Sequence, residues 1–253
     1  MASATARKLR PIFNRPSCNI LIACMPKSGS TYLARLLSQA TGFDDLLIND
    51  MIAGGQQELS KRRLQRSVGL KPGSVSQVHL RCNSHNRELI QRFGFKPVVL
   101  TRNLFDLVPS NADHFRREGT EGVLNYVPND WQEMDDKALH DFVIHNCLPW
   151  YLGFLYAWHD VAGELDVCWL SYEQLFEDQA QALERVMSFC GLSCSQSQIE
   201  DAIALMDGRD TRLNKGVCGR GEAMLLPEQK QAIREIARSW QGDPAVLKRV
   251  GIE

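Results

Sequence analysis

Four short apolar runs recur along the chain, and the segments between them follow helical periodicity. The runs are NILIACM (19–25), SVSQVHL (74–80), KPVVLTR (96–102) and DVCWLSY (166–172). Near-continuous apolar character over so few residues marks strands buried on both faces. After the first run, Leu33, Leu36, Leu37 and Ala40 fall on one helical face. QAQALERVMSFCG (179–191) and PEQKQAIREIARSW (227–240) are amphipathic, and the second opens on a proline suited to a first helical turn. This alternation predicts an α/β fold, a single domain with a central parallel β-sheet flanked by helices. The domain is expected over residues 19–253, after an N-terminal extension of residues 1–18. Regions 44–70 and 111–140 read as loop-rich insertions, the first carrying Gly54-Gly55 and Lys61-Arg62-Arg63. There is no internal repeat and no low-complexity segment.

Composition narrows the class only slightly. With 253 residues, 44% hydrophobic and 23% charged, the chain has ordinary globular proportions. A net charge of −1 gives no global attraction to nucleic acid or anionic membranes, so any anion must be held by a local cluster. The longest apolar run, CLPWYLGFLYAW (147–158), contains a proline and is shorter than the ~20 residues a membrane span needs. The first is too short for a secretory core. Eight cysteines form no C-x-x-C pair, and Cys190 and Cys194 have no histidine nearby. Reduced thiols in a cytoplasmic protein are expected, not a zinc site or a disulfide framework.

Candidate chemistry begins at ILIACMPKSGSTYL (20–33), where a strand passes into a helix. In open α/β sheets ligands bind at the carboxyl ends of strands, and backbone N–H groups at a helix start form an anion site. Gly29 lets the backbone approach a ligand closely, Ser28, Ser30 and Thr31 add hydroxyl donors, and Lys27 adds charge. These features predict a phosphate-binding turn; the plainer alternative is a solvated capping turn with a surface lysine. It is not a Walker A loop, because the lysine precedes the glycine.

PKSGSTY (26–32) resembles the P-K-S-G-T-T-W signature of sulfotransferases that use 3′-phosphoadenosine 5′-phosphosulfate (PAPS). The resemblance implies a P-loop NTPase-like sulfotransferase fold. It also implies a loop, residues 27–31, that wraps the 5′-phosphosulfate, and an adenine stacked on Tyr32. TRNLFDLVPSNADHF (101–115) is similar to the family's R-N-P-x-D-x-x-x-S-x-x-x-H-F segment, placing Arg102 and Ser110 on the 3′-phosphate. Pro109 is expected to kink or delay the helix there. LNKGVCGRGEAMLLPEQ (213–229) resembles the R-K-G-x-x-G-D-W loop. Lys215 and Gly216 would complete the 3′-phosphate pocket, with Asn214 in place of the family arginine and Arg220 as its substitute. SYEQLFED (171–178) resembles Y-E-D-L-x-x-D, which brings Tyr172 to the adenine. The four segments occur in the family's order.

Sulfuryl transfer needs an in-line attack by a hydroxyl or amine, stabilisation of the departing phosphate oxygen and a base. Lys27 is the expected stabiliser. No clustered carboxylates suggest Mg²⁺, so no metal is expected. His79 is the expected base: alternation along SVSQVHLR puts Gln77, His79 and Arg81 on one face, and QVHL resembles the family's K-T-H-L. Gln77 replaces a lysine there, whose charge Arg81 could supply; His85, in a loop, is the fallback base. The expected product is adenosine 3′,5′-bisphosphate (PAP). Competing readings are a nucleotide or small-molecule kinase with a variant P-loop, and a catalytically silent nucleotide-binding protein. The acceptor, a small molecule or glycan with a hydroxyl, would be bound by 44–70 and 111–140, with Phe115, Tyr126 and Trp131 as candidate lining residues. Oligomeric state stays open, and neither nucleic acid nor membrane is an expected partner.

Overall fold

A computed structural model describes residues 18–49, 57–68, 73–119, 127–128, 130–206, 217–240 and 242–253. Its centre is a five-stranded sheet built from β1 (Cys18–Cys24), β2 (Asp44–Asp45), β3 (Gly73–Val78), β4 (Phe95–Thr101) and β5 (Cys168–Ser171). The order across the sheet is β2-β3-β1-β4-β5, with every pairing parallel. β1 therefore lies inside, in register with both neighbours: Ile20 faces Val75 on β3, and Leu21 faces Pro97 on β4.

The interior position explains the composition of β1. Ile20, Leu21, Ile22, Ala23 and Cys24 are all fully buried. Because side chains alternate across the sheet, Ile20, Ile22 and Cys24 join one apolar layer, and Leu21, Ala23 and Met25 the other. The first layer is covered by α1 (Ser30–Thr41), α7 (Gln179–Phe189) and α8 (Gln196–Ala204). The second is covered by α3 (Ser84–Arg92), α4 (Leu104–Glu118), α5 (Asp136–His159) and α10 (Pro227–Ser239). Three short helices, α2 (Lys61–Ser67), α6 (Tyr172–Glu177) and α9 (Arg220–Met224), complete the order.

α5 is apolar around much of its circumference because it runs through the second layer, with Trp158 and Phe154 fully buried. The Trp158 Nε1–H donates to the Leu80 carbonyl at 2.7 Å, tying the helix to the chain just beyond β3. Among the described residues no helix is long and apolar enough to cross a membrane.

Three expectations need correction. Residues 44–70 include the two-residue strand β2, which exists because β3 offers it a partner edge. Most of the described part of 111–140 is helical: α4 continues to Glu118, and α5 begins at Asp136 after a 3₁₀ turn at Trp131–Glu133. Pro109 does not delay α4, which starts at Leu104 with the Asn103 side chain accepting from the Phe105 N–H at 2.9 Å. A proline at 109 withholds an N–H from the Phe105 carbonyl one turn back. Gly221 packs against that carbonyl so closely that a Cβ would overlap it, so glycine is required there.

Candidate active site

The loop from β1 to α1 is shaped by its own backbone. Met25 N–H donates to the Leu100 carbonyl at 3.1 Å, extending the sheet one residue past β1. Lys27 (φ 65°) and Gly29 (φ 80°) both take the left-handed conformation. For a lysine that conformation costs roughly 1–2 kcal/mol, and such strain concentrates at ligand-binding sites. At 29 glycine is needed twice over, since a Cβ would press on the Tyr172 and Phe176 rings at 3.1 Å. The Ser28 hydroxyl and N–H both turn back on the Met25 carbonyl, at 2.6 and 3.3 Å, so the hydroxyl braces the loop. Ser30 opens α1, and the Thr31 hydroxyl lies 3.5 Å from Gln77 Oε1.

Arg102 follows the last residue of β4 and is only 4% exposed. Its Nη1 donates to the Lys27 carbonyl at 2.8 Å and to the Ser110 hydroxyl at 3.2 Å. Its guanidinium lies 3.9 Å from the centre of the Tyr172 ring. Arg102 Nε is buried without a partner, and no carboxylate pairs with this side chain among the described residues. A buried guanidinium in that condition is costly, and an anion beside it would relieve the cost. Sequence reasoning paired Arg102 with Ser110, and the structure brings them together.

Tyr172 opens α6 behind a capping box formed by Ser171 and Gln174. Burial pushes its phenol pKa up, with Arg102 opposing. Its ring lies 4.5 Å from Phe176, and Tyr32 lies 5.1 Å from Phe176, so the three form one aromatic cluster. The Tyr32 hydroxyl donates to Gln179 Oε1 at 2.7 Å. Phe176 was missed in the sequence, although its place four residues after Tyr172 puts it on the same helical face.

Asp106, in the first turn of α4, accepts from the Gly219 and Gly221 N–H groups at 2.7 Å each. It thereby clamps the glycine loop to the 3′-phosphate candidates. Arg220, expected to substitute for the arginine replaced by Asn214, already has an anionic partner. Its guanidinium is held by Asp113 at 2.8 Å, which neutralises its charge locally. Asp106 matches the aspartate of the R-N-P-x-D motif, whereas Asp113 falls at an unspecified position of it. Asn214, Lys215, Gly216 and Tyr126 lie outside the described residues.

His79 follows Val78, the last paired residue of β3. Its Nδ1 lies 3.0 Å from the Cys24 carbonyl oxygen and 3.4 Å from Cys24 Sγ. Burial pushes its pKa down, but the interactions with Cys24 outweigh burial and the nearby Lys27 charge, so the net shift is upward. His114 on α4 shifts the other way, through burial first and the Lys27 charge second. Lys27 thus acts electrostatically on both imidazoles. Arg81 does not join Gln77 and His79: it is exposed, and its Nε donates to Gln57 Oε1 at 3.0 Å. His85 is exposed on α3, not in a loop. Phe115 is a core residue against Phe142, and Trp131 packs half-buried at the core edge. Among the described residues no group of three or more His, Cys, Asp or Glu side chains is arranged to hold a metal ion.

These features match a known architecture. Mouse sulfotransferase SULT7A1, solved in complex with PAP, superposes with a TM-score of 0.69 at 16% identity, over 94% of this chain and 89% of that one. Retinol dehydratase, solved with androsterone and the inactive cofactor PAP, gives 0.63 at 16% identity, over 96% and 84%. The sulfotransferase domain from the curacin biosynthetic pathway gives 0.53 at 12% identity, over 88% and 98%. At such identities the likeness is one of fold. No curated protein matches the sequence significantly. The family model for the sulfotransferase domain, however, matches residues 18–218, from the first residue of β1 into the glycine loop. The chain belongs to the sulfotransferase family.

Proposed function

We propose that this protein transfers a sulfuryl group from PAPS to a hydroxyl or amine of a small-molecule or glycan acceptor, using a domain that spans residues 19–253. The observation that carries the donor assignment is Arg102: a buried guanidinium with an unpartnered Nε, no carboxylate partner among the described residues, and Ser110 beside it. A terminal phosphate dianion suits that fork of donors. Arg102 and Ser110 would hold the 3′-phosphate, with Lys215 and Gly216 closing the pocket from the loop that Asp106 clamps. The Tyr32, Tyr172 and Phe176 cluster offers apolar surface to the adenine. The 27–31 backbone would receive the 5′-phosphosulfate.

When bound, PAPS supplies the activated sulfuryl group and a good leaving group. Lys27 would neutralise charge building on the bridging oxygen, and His79 would take the acceptor's proton. Because Lys27 and Arg102 supply the positive charge, transfer should persist in EDTA.

Calorimetry tests the donor assignment. PAP should bind far more tightly than ADP or AMP, because a charge-assisted contact to the 3′-phosphate is worth about 1.5–3 kcal/mol. Arg102→Ala should erase most of that preference. Equal affinity for ADP would overturn the assignment.

A further inference from the structure

The environment of His79 specifies more than its presence. The Cys24 carbonyl has no proton to give, so a 3.0 Å hydrogen bond to Nδ1 requires that Nδ1 carry the hydrogen. The Cys24 thiol has a single proton, for which the Val78 carbonyl, 3.5 Å from the sulfur, is an acceptor. With the proton there, the sulfur presents a lone pair toward Nδ1, 3.4 Å away. A neutral imidazole has only one N–H. Cys24 is fully buried, at the end of the strand held on both sides by β3 and β4, so neither acceptor is free to swing away.

We infer that Cys24 is a positioning residue: its carbonyl and sulfur together hold His79 as the Nδ1–H tautomer, leaving Nε2 as the atom that takes the acceptor's proton. The inference rests on the reading of His79 as base. Both Cys24 acceptors continue to receive the Nδ1–H after Nε2 is protonated, so they favour the imidazolium, in line with the upward shift of His79. The titratable and charged groups that bear on the ring are Cys24 from β1 and Lys27 from the following loop, and Lys27 opposes protonation.

The test uses the full-length protein labelled with ¹⁵N-histidine, the His79 signals being assigned by their loss in His79→Gln. At alkaline pH, long-range proton–nitrogen spectra should show Nδ1 protonated and Nε2 bare; the opposite tautomer overturns the inference. In Cys24→Ala the His79 titration midpoint should move to lower pH, the acid limb of kcat/KM should move with it, and turnover should fall about fivefold, the equivalent of one modest hydrogen bond. Cys24→Ser should restore all three, since a hydroxyl can donate to Val78 and accept from Nδ1. A Cys24→Ala titration that coincides with wild type also overturns the inference. Full turnover in His79→Gln would instead remove the base reading, a result obtained independently of the histidine spectra.

Discussion

At His79, burial opposes the electrostatic and hydrogen-bonding interactions with Cys24, and the interactions with Cys24 win. A base works only in its neutral form, so kcat/KM should rise with pH through a value above the ~6.5 of an ordinary histidine. Activity is lost as pH falls below it. His79→Gln should abolish that limb and reduce turnover by roughly 10²–10⁴-fold, with PAP affinity nearly unchanged by calorimetry. Lys27→Ala should differ in two ways. It should weaken binding of the donor as well as turnover, and it should move any residual acid limb to higher pH, because the lost charge had been holding the His79 pKa down. A limb that stays in place would show that Lys27 and His79 do not share one site. The histidine itself was legible from its place at a strand exit; its partner Cys24 was not, because only the β1–β3 register brings the two together.

At the scale of elements, α4 connects most of the candidate site. Its N-terminal turn carries Asp106, its middle carries Ser110, and Asp113 holds Arg220. Asp106→Ala should free the glycine loop. Two hydrogen bonds to a buried carboxylate are lost, each worth about 1.5–3 kcal/mol, and partial solvation of the released N–H groups returns some of that. A fall of about 2–4 kcal/mol in urea unfolding is expected, together with weaker binding of PAP than of AMP relative to wild type. Wild-type stability in this variant would show that the loop is held by other contacts. The Pro109–Gly221 pairing belongs to the same scale: the proline vacates a carbonyl, and the glycine is small enough to lie against it. From the sequence, Pro109 looked like a defect in the helix, since the residue that accommodates it lies more than 100 positions away.

Across the whole molecule, the parallel sheet brings four chain segments to one edge. Lys27 follows β1, His79 follows β3, Arg102 follows β4 and Tyr172 follows β5. This is where an open α/β sheet collects its ligand. α5 supports that edge from outside through the Trp158–Leu80 hydrogen bond, one residue past His79. Trp158→Phe should lose the bond and open a cavity where the larger ring had been; the unsatisfied buried carbonyl costs about 1–3 kcal/mol and the cavity adds to it, read together as a lower unfolding midpoint. Turnover should fall more than PAP affinity does, because the bond braces the histidine's segment and lies away from Arg102. An equal loss of both would mean that the whole sheet edge had shifted.

The buried strands and the residues at their exits could be read from the chain because their signals are local. A strand enclosed on both faces has to be apolar throughout, and a phosphate loop needs its small residues and lysine next to one another. Lys27, Gly29, Arg102, Ser110, Tyr172 and His79 are candidates of this kind. β2 could not be read in this way, because two exposed aspartates form a strand only when β3 presents an edge to them. The orientation of Arg81 toward Gln57, the capture of Arg220 by Asp113, the inward turn of Ser28 and the hold of Cys24 on His79 were equally hidden. Each depends on which groups the packed chain leaves within about 3 Å of one another. For Arg81, Arg220 and Cys24 those groups lie far apart along the chain, so no local pattern of residues could record the contact.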